Sequence, residues 1–226
     1  HEEAISAFDA TLLIDPENGQ AHRGRGVSLI KLRRYEDAVI SLDHALEYDK
    51  SNPEILTCKG YSLYRLNRFK ESVEALGKSL KLRSQDLNTL FFRAKAYMHL
   101  KRWEDAITIF EKVFVIDPRY TAAWYYKGQG FAQMALFDDA LHAFENALVN
   151  DSSCTVAWFE KAEMLQKLER FEESVSAYDR TLELNPQHQN AAYHKGLARF
   201  IQGRNDEAIG AFDLALTIGE ENARIT

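Results

Sequence analysis

The side chains able to bind metal ions or move protons are scattered along this 226-residue chain rather than gathered. His1, His22, His44, His99, His142, His188 and His194 form no HxxxH or HExxH pair, the spacing that would set two imidazoles on one helix face for zinc. Cys58 and Cys154 stand apart, without a CxxC spacing or a histidine at ligand spacing. Free thiols are therefore expected, with neither a disulfide framework nor a zinc site. The paired glycines Gly24 with Gly26 and Gly128 with Gly130 follow no strand pattern, and no GxSxG turn or P-loop occurs. The pattern predicts no catalytic centre, no metal and no cofactor.

Residues suited to recognition are, by contrast, strictly spaced. Arg25, Lys59, Arg93, Lys127, Lys161 and Lys195 recur every 34 residues. Asp9, Asp43, Glu111, Glu145, Asp179 and Asp213 keep the same interval, interrupted at Gly77. These two series can form ion pairs whose aliphatic stems cover helix surface, or leave a linear anion-binding edge; the spacing admits both. Phe91, Tyr125, Phe159 and Tyr193 make an aromatic series, and the residues directly after them are Phe92, Tyr126, Glu160 and His194. Aromatic rings offer large contact area at small rotamer cost, which suits peptide recognition.

A fixed interval of this length implies repeated helix pairs, and those elements must position the recognition residues. Full repeats begin at Gly19, Pro53, Leu87, Thr121, Thr155 and Gln189, giving 19–52, 53–86, 87–120, 121–154, 155–188 and 189–222. A half repeat, 1–18, precedes them and a tail, 223–226, follows. With positions counted as phases from each start, phases 4, 8 and 11 fall on one stripe of a first helix. Phases 20, 21, 24, 27 and 28 fall on one stripe of a second. Phase 8 is always small (Gly26, Gly60, Ala94, Gly128, Ala162, Gly196), and phase 20 holds Ala or Ser. Small residues let two helix backbones approach, and the large residue at phase 24 fills the space beside them.

Asp15 with Pro16, Asp117 with Pro118 and Asn185 with Pro186 are expected to end second helices, and Asn52 with Pro53 to open a first one. Acidic pairs such as Glu36 with Asp37 and Glu172 with Glu173 fall in the first turn of second helices, where the helix dipole accounts for them. One hairpin cannot bury both its faces, so the prediction is an all-α solenoid of stacked antiparallel helix pairs. The last full repeat carries Ala192, Arg199, Gln202 and Asn205 where the others have mostly large apolar residues, which predicts looser packing near that end.

Segments such as Ala106-Ile107-x2-Phe110 and Trp124-x2-Lys127-Gly128-x2-Phe131 make the chain resemble the tetratricopeptide repeat family, over 1–222. The resemblance implies a right-handed superhelix whose inner face is lined by first helices, and a non-catalytic role in binding a protein or peptide segment. It also places the groove at phases 2, 5, 6, 9, 12 and 13. An aromatic residue at phase 5 is ordinary for the family and reads as packing. The doublets Phe91 with Phe92 and Tyr125 with Tyr126 cannot both be buried on one narrow stripe, because neighbours on a helix stand about 100° apart. Some rings should therefore line the groove. Its candidate residues are Tyr61, Tyr64, Phe91, Phe92, Lys95, Tyr125, Tyr126, Gln129, Phe159, Glu160, Tyr193 and His194.

Phase 7 departs from the family pattern, which prefers Leu there, and supplies the alternative basic edge. The chaperone-tail clamp of this family is not matched: its five positions read Arg23, Val27, Cys58, Asn88 and Phe92 here. Phase 6 also lacks the asparagine ladder of the glycosyltransferase that carries such an array.

The chain is acidic, with a net charge of −6, yet residues 19–120 hold 19 Lys/Arg against 13 Asp/Glu and residues 121–226 hold 9 against 16. An acidic balance and a strict interval of 34 disfavour RNA. No apolar run approaches the roughly 20 residues that span a bilayer, and the first residues lack the basic start of a signal peptide. A cytoplasmic location is expected. The opening half repeat predicts a piece of a longer array whose first apolar stripe, Ala4, Ile5, Phe8 and Leu12, is uncovered and available for self-association through residues 1–14. A binding scaffold, an assembly element and a targeting module of a larger protein are the three readings.

Overall fold

The computed structural model describes residues 1–225, and among these it is built of helices alone. In a first compact unit, His1–Pro118, α1 (Glu2–Ile14) precedes three helix pairs. These are α2 (Gly19–Lys31) with α3 (Tyr35–Tyr48), α4 (Pro53–Arg65) with α5 (Phe69–Leu82), and α6 (Leu87–His99) with α7 (Trp103–Ile116). A second unit, from Arg119 onward, holds α8 (Thr121–Gln133) with α9 (Phe137–Asn150), α10 (Thr155–Lys167) with α11 (Phe171–Leu184), and α12 (Gln189–Ile201) with α13 (Asn205–Ile225). Within the units each second helix also packs on the first helix of the next repeat: α3 on α4, α5 on α6, α9 on α10 and α11 on α12.

Local chemistry explains the helix ends. Asn18 caps α2 by accepting from the Ala21 N–H at 2.9 Å, and Asp86 caps α6 through the Thr89 N–H at 2.7 Å. Asn52 accepts from Glu54 and Ile55 amides with Pro53 in the first helical turn, where its missing N–H costs nothing. Each first helix is closed by a left-handed residue at phase 15: Arg33, Asn67, Lys101, Ala135, Glu169 and Gly203. The amide that follows reaches back, as when the Arg34 N–H donates to the Leu29 carbonyl at 2.9 Å, which satisfies an orphan helix carbonyl and reverses the chain. Arginine one residue later then clips the acid three residues on, in Arg34–Asp37, Arg68–Glu71, Arg102–Asp105, Arg170–Glu173 and Arg204–Glu207.

The pairing of the two helices depends on close backbone approach. A Cβ added to Gly128 would stand 2.7 Å from Phe144 Cε1, and one on Gly60 2.5 Å from Leu76 Cγ. The Ser72 hydroxyl donates to the Gly60 carbonyl at 2.7 Å, and Ala38, Ala106 and Ala140 at the same phase as Ser72 are wholly buried.

Three expectations need correction. The α1 stripe is not uncovered: Ile5 is buried with Leu29 and Ala38, the Phe8 ring packs over Gly24 of α2, and the exposed large apolar residues of this helix are Leu13 and Ile14. α2 supplies this cover from the repeat that follows. The last repeat is not simply looser: Arg199, 11% exposed, pairs with Glu172 at 2.8 Å and Glu207 at 3.0 Å, and Arg204 joins both acids. Ions stand there in place of apolar contacts. Residues 223–225 are not a separate tail but the end of α13; Thr226 lies outside the described residues.

Candidate functional site

First helices carry the candidate residues, and two rules place them. A phase-5 ring packs on the phase-24 ring of its own hairpin: Phe91 on Phe110, Tyr125 on Phe144, Phe159 on Tyr178 and Tyr193 on Phe212, with centroids 6.3, 5.9, 5.9 and 5.7 Å apart. A phase-6 side chain instead meets phases 5 and 9 of the preceding repeat. Tyr61 and Phe92 obey the second rule in the first unit, with ring centroids 4.7 Å apart in an edge-to-face arrangement. Gln129 and Glu160 obey it in the second, at 3.2 Å.

In the first unit this geometry gathers half-buried Tyr61, Tyr64 and Phe92 into one cluster. Tyr64 contacts Phe69 and His99, whose rings stack at 4.3 Å, and its hydroxyl lies 3.3 Å from His99 Nε2. Two cations lie on the rings: Arg65 over Tyr35 at 4.6 Å, donating also to the Tyr61 hydroxyl, and Lys95 over Tyr64 at 5.5 Å. Burial, and then the Lys95 charge, hold the His99 pKa below the ordinary value of 6.5. Phe91 requires correction as a groove residue: it is 8% exposed and belongs to the core. Arg65, Phe69 and His99 join the cluster without being among the residues expected there. Arg65 and His99 sit at phase 13, which is groove-facing in the family pattern, and that is the available signal.

In the second unit the cluster is polar. Gln129 Nε2 donates to the Tyr125 hydroxyl at 2.9 Å and to Glu160, and the Tyr125 hydroxyl faces Glu160 Oε1 at 3.4 Å. Burial and then the Glu160 charge raise the Tyr125 phenol pKa, and the same two causes raise that of the Glu163 carboxyl. Tyr126 packs on Tyr125 at 5.4 Å. Phe159 and His194 approach at 6.0 Å, and His194, held low by burial and then Lys167, lies beside the half-exposed Tyr193. Phe159 is drawn to Tyr178 and His188 as well, so it serves mainly as packing. The arrangement offers aromatic faces with cations in the first unit and aromatic faces with acceptors in the second.

The basic series is engaged rather than a continuous free edge. Arg25 pairs with Asp9 at 2.6 Å, Lys161 with Glu145 at 2.9 Å, Lys195 with Asp179 at 2.6 Å, and Lys59 with Asp43. Each cation thus meets the acid sixteen residues earlier, on the preceding second helix. Lys127 lies over the Trp124 ring at 5.0 Å. Arg93 faces Gly77 instead of an acid. Cys58 and Cys154 are free thiols, and burial raises the Cys58 pKa. Among the described residues no group of three His, Cys, Asp or Glu could hold a metal ion, and no helix is long and apolar enough to cross a membrane.

Comparison with known proteins agrees with this architecture. The model of the tetratricopeptide repeat matches residues 1–53 and 164–223, and that of the anaphase-promoting complex, cyclosome, subunit 3, matches 31–113. Among solved structures, MamA is 25% identical with a TM-score of 0.71, the match covering 73% of this chain and 96% of that one. YrrB, described as a TPR protein with an unusual peptide-binding site, is 19% identical with a TM-score of 0.73, over 84% and 97%. A thermophilic TPR protein of Thermus thermophilus, TTC0263, is 21% identical with a TM-score of 0.57, over 80% and 99%. The last two likenesses concern the fold alone. Comparison with curated proteins gives no match. With half of its residues matched by the repeat model, and with helix pairs whose small close-approach residues and left-handed turns recur in that frame, the chain belongs to the tetratricopeptide repeat family of protein-interaction scaffolds.

Proposed function

We propose that the chain is a non-catalytic scaffold that holds a peptide or protein segment against its first-helix residues. The observation that carries this reading is the half-buried cluster of Tyr61, Tyr64 and Phe92. Rings held in place by their neighbours lose little entropy on binding, and truncating such an anchor typically costs at least ~2 kcal/mol, more than tenfold in affinity. Tyr125, Tyr126, Gln129 and Glu160 form a second contact patch, suited to a segment that brings hydrogen-bond donors or a positive charge.

Peptides selected from a random library on the whole chain should carry an apolar anchor. Phe92→Ala should weaken them more than tenfold while helicity and melting temperature stay nearly unchanged. If Phe92→Ala unfolds the protein, the ring is core; if the variant keeps full affinity, the cluster does not bind. A second reading, association of copies through residues 1–14, has Leu13 and Ile14, 85% and 88% exposed, in its favour. It requires a mass that grows with concentration and that Leu13→Gln abolishes.

A further inference from the structure

The cation ladder has one broken rung. Arg25, Lys59, Lys161 and Lys195 each receive a carboxylate from the second helix of the preceding repeat. At the position facing Arg93 the chain has Gly77. The guanidinium has settled against the bare α5 backbone: a Cβ on Gly77 would stand 3.2 Å from Arg93 Nη2 and 3.3 Å from Cζ. Its hydrogen-bond partner is the Tyr97 hydroxyl, at 3.2 Å, and the buried Nε has no acceptor.

Arg93 forms part of the wall of an open cleft of about 510 Å³ between α5 and α7, together with Lys78, Lys81, Lys112, Glu74 and Gly77. All of these residues belong to the first unit. None of the four cations forms an ion pair among the described residues, not even with Glu74. Four positive charges around one recess repel each other and focus their field into it. A guanidinium presents a rigid fork that matches a carboxylate, whereas lysines act as mobile point charges.

We propose that this cleft docks an acidic segment of a protein partner. One carboxylate takes the empty rung on Arg93, and its neighbours along the segment meet Lys78, Lys81 and Lys112. Distribution of the charge over α5, α6 and α7 favours several carboxylates on one extended chain over a single compact anion. The cleft shares no residue with the cluster of Tyr61, Tyr64 and Phe92 in the same unit.

The probe is a fluorescent hexaglutamate peptide titrated against the whole chain, with inorganic phosphate as the competing anion. Arginine side-chain NMR reports on Arg93 Nε–H. Wild type should bind saturably, with the Arg93 signal shifting and the affinity falling as salt rises. Gly77→Asp restores the missing acid from within and should weaken binding at least tenfold. Gly77→Ala adds a methyl group but no charge against the movable guanidinium, and should bind like wild type. Arg93→Gln, which leaves the glycine in place, should weaken binding to a similar degree, and covers the case in which Gly77→Asp fails to fold. Equal binding by wild type and either charge variant, or an Arg93 signal unmoved at saturation, would overturn the proposal. So would saturation by phosphate at this signal with no response to hexaglutamate, since the site would then serve a phosphoryl group.

Discussion

At the scale of single residues, the imidazoles beside the aromatic clusters carry a pH dependence. His99 and His194 are both held below 6.5, first by burial and then by a nearby lysine, Lys95 or Lys167. A lowered histidine pKa means that the unfolded chain binds the proton more readily than the folded one. The stability contributed by these two groups is therefore whole above pH 6.5 and is lost as the pH falls from there through each folded value. Histidine NMR titrations should give midpoints below 6.5 for both, and His99→Asn should flatten the fall in stability between about pH 6.5 and 5. Midpoints at or above 6.5 would contradict the partial desolvation of these rings and the repulsion from Lys95 and Lys167. Glu163 acts with the opposite sign: its raised pKa makes the folded state hold the proton more tightly, so its protonation adds stability as the pH falls through its folded value.

At the scale of elements, the left-handed turn that closes each first helix is occupied by a residue that fits it badly in most repeats. Ala135 holds φ 58°, whereas Gly203 at the equivalent place holds φ 74° without a side chain to clash. Ala135→Gly should stabilise the protein by roughly 1 kcal/mol and Gly203→Ala should destabilise it by roughly as much; denaturant midpoints would measure both. The paired-helix contact predicts a larger penalty. Gly128→Leu would drive a side chain into Phe144, which is wholly buried, at a cost of about 1–3 kcal/mol. An unchanged melt would refute the close approach of α8 and α9. Glycine and alanine at phase 8 were legible as the site of that approach, because the requirement recurs in every repeat. The left-handed position was not legible, since only Asn67 and Gly203 among its six occupants favour that conformation.

At the scale of the whole molecule, each repeat leans on its sequence neighbours, so damage should stay near its origin. Ile5 is buried by Leu29 and Ala38, and Ile5→Ala should remove about 2–5 kcal/mol of local stability. Hydrogen exchange should then accelerate across α1 and the facing part of α2, while α9 to α11 keep their protection. Equal acceleration in both units would mean that the chain unfolds as one block.

The 34-residue frame by itself determined where helices begin, which faces pair, and where backbones must approach, because these demands are local or repeat with every hairpin. Only tertiary contact decided which ring of each doublet does which work. Phe91 is drawn into its own hairpin by Phe110, while Phe92 meets Tyr61 of the repeat before, a choice made by partners that lie tens of residues apart. The basic ladder was likewise visible as a series but not as a set of bonds. Its cations are neutralised by acids on another repeat's helix, and Arg93 is left without one because Gly77 brings no side chain to meet it. Composition records a charge; whether a partner reaches it depends on how two helices are set side by side.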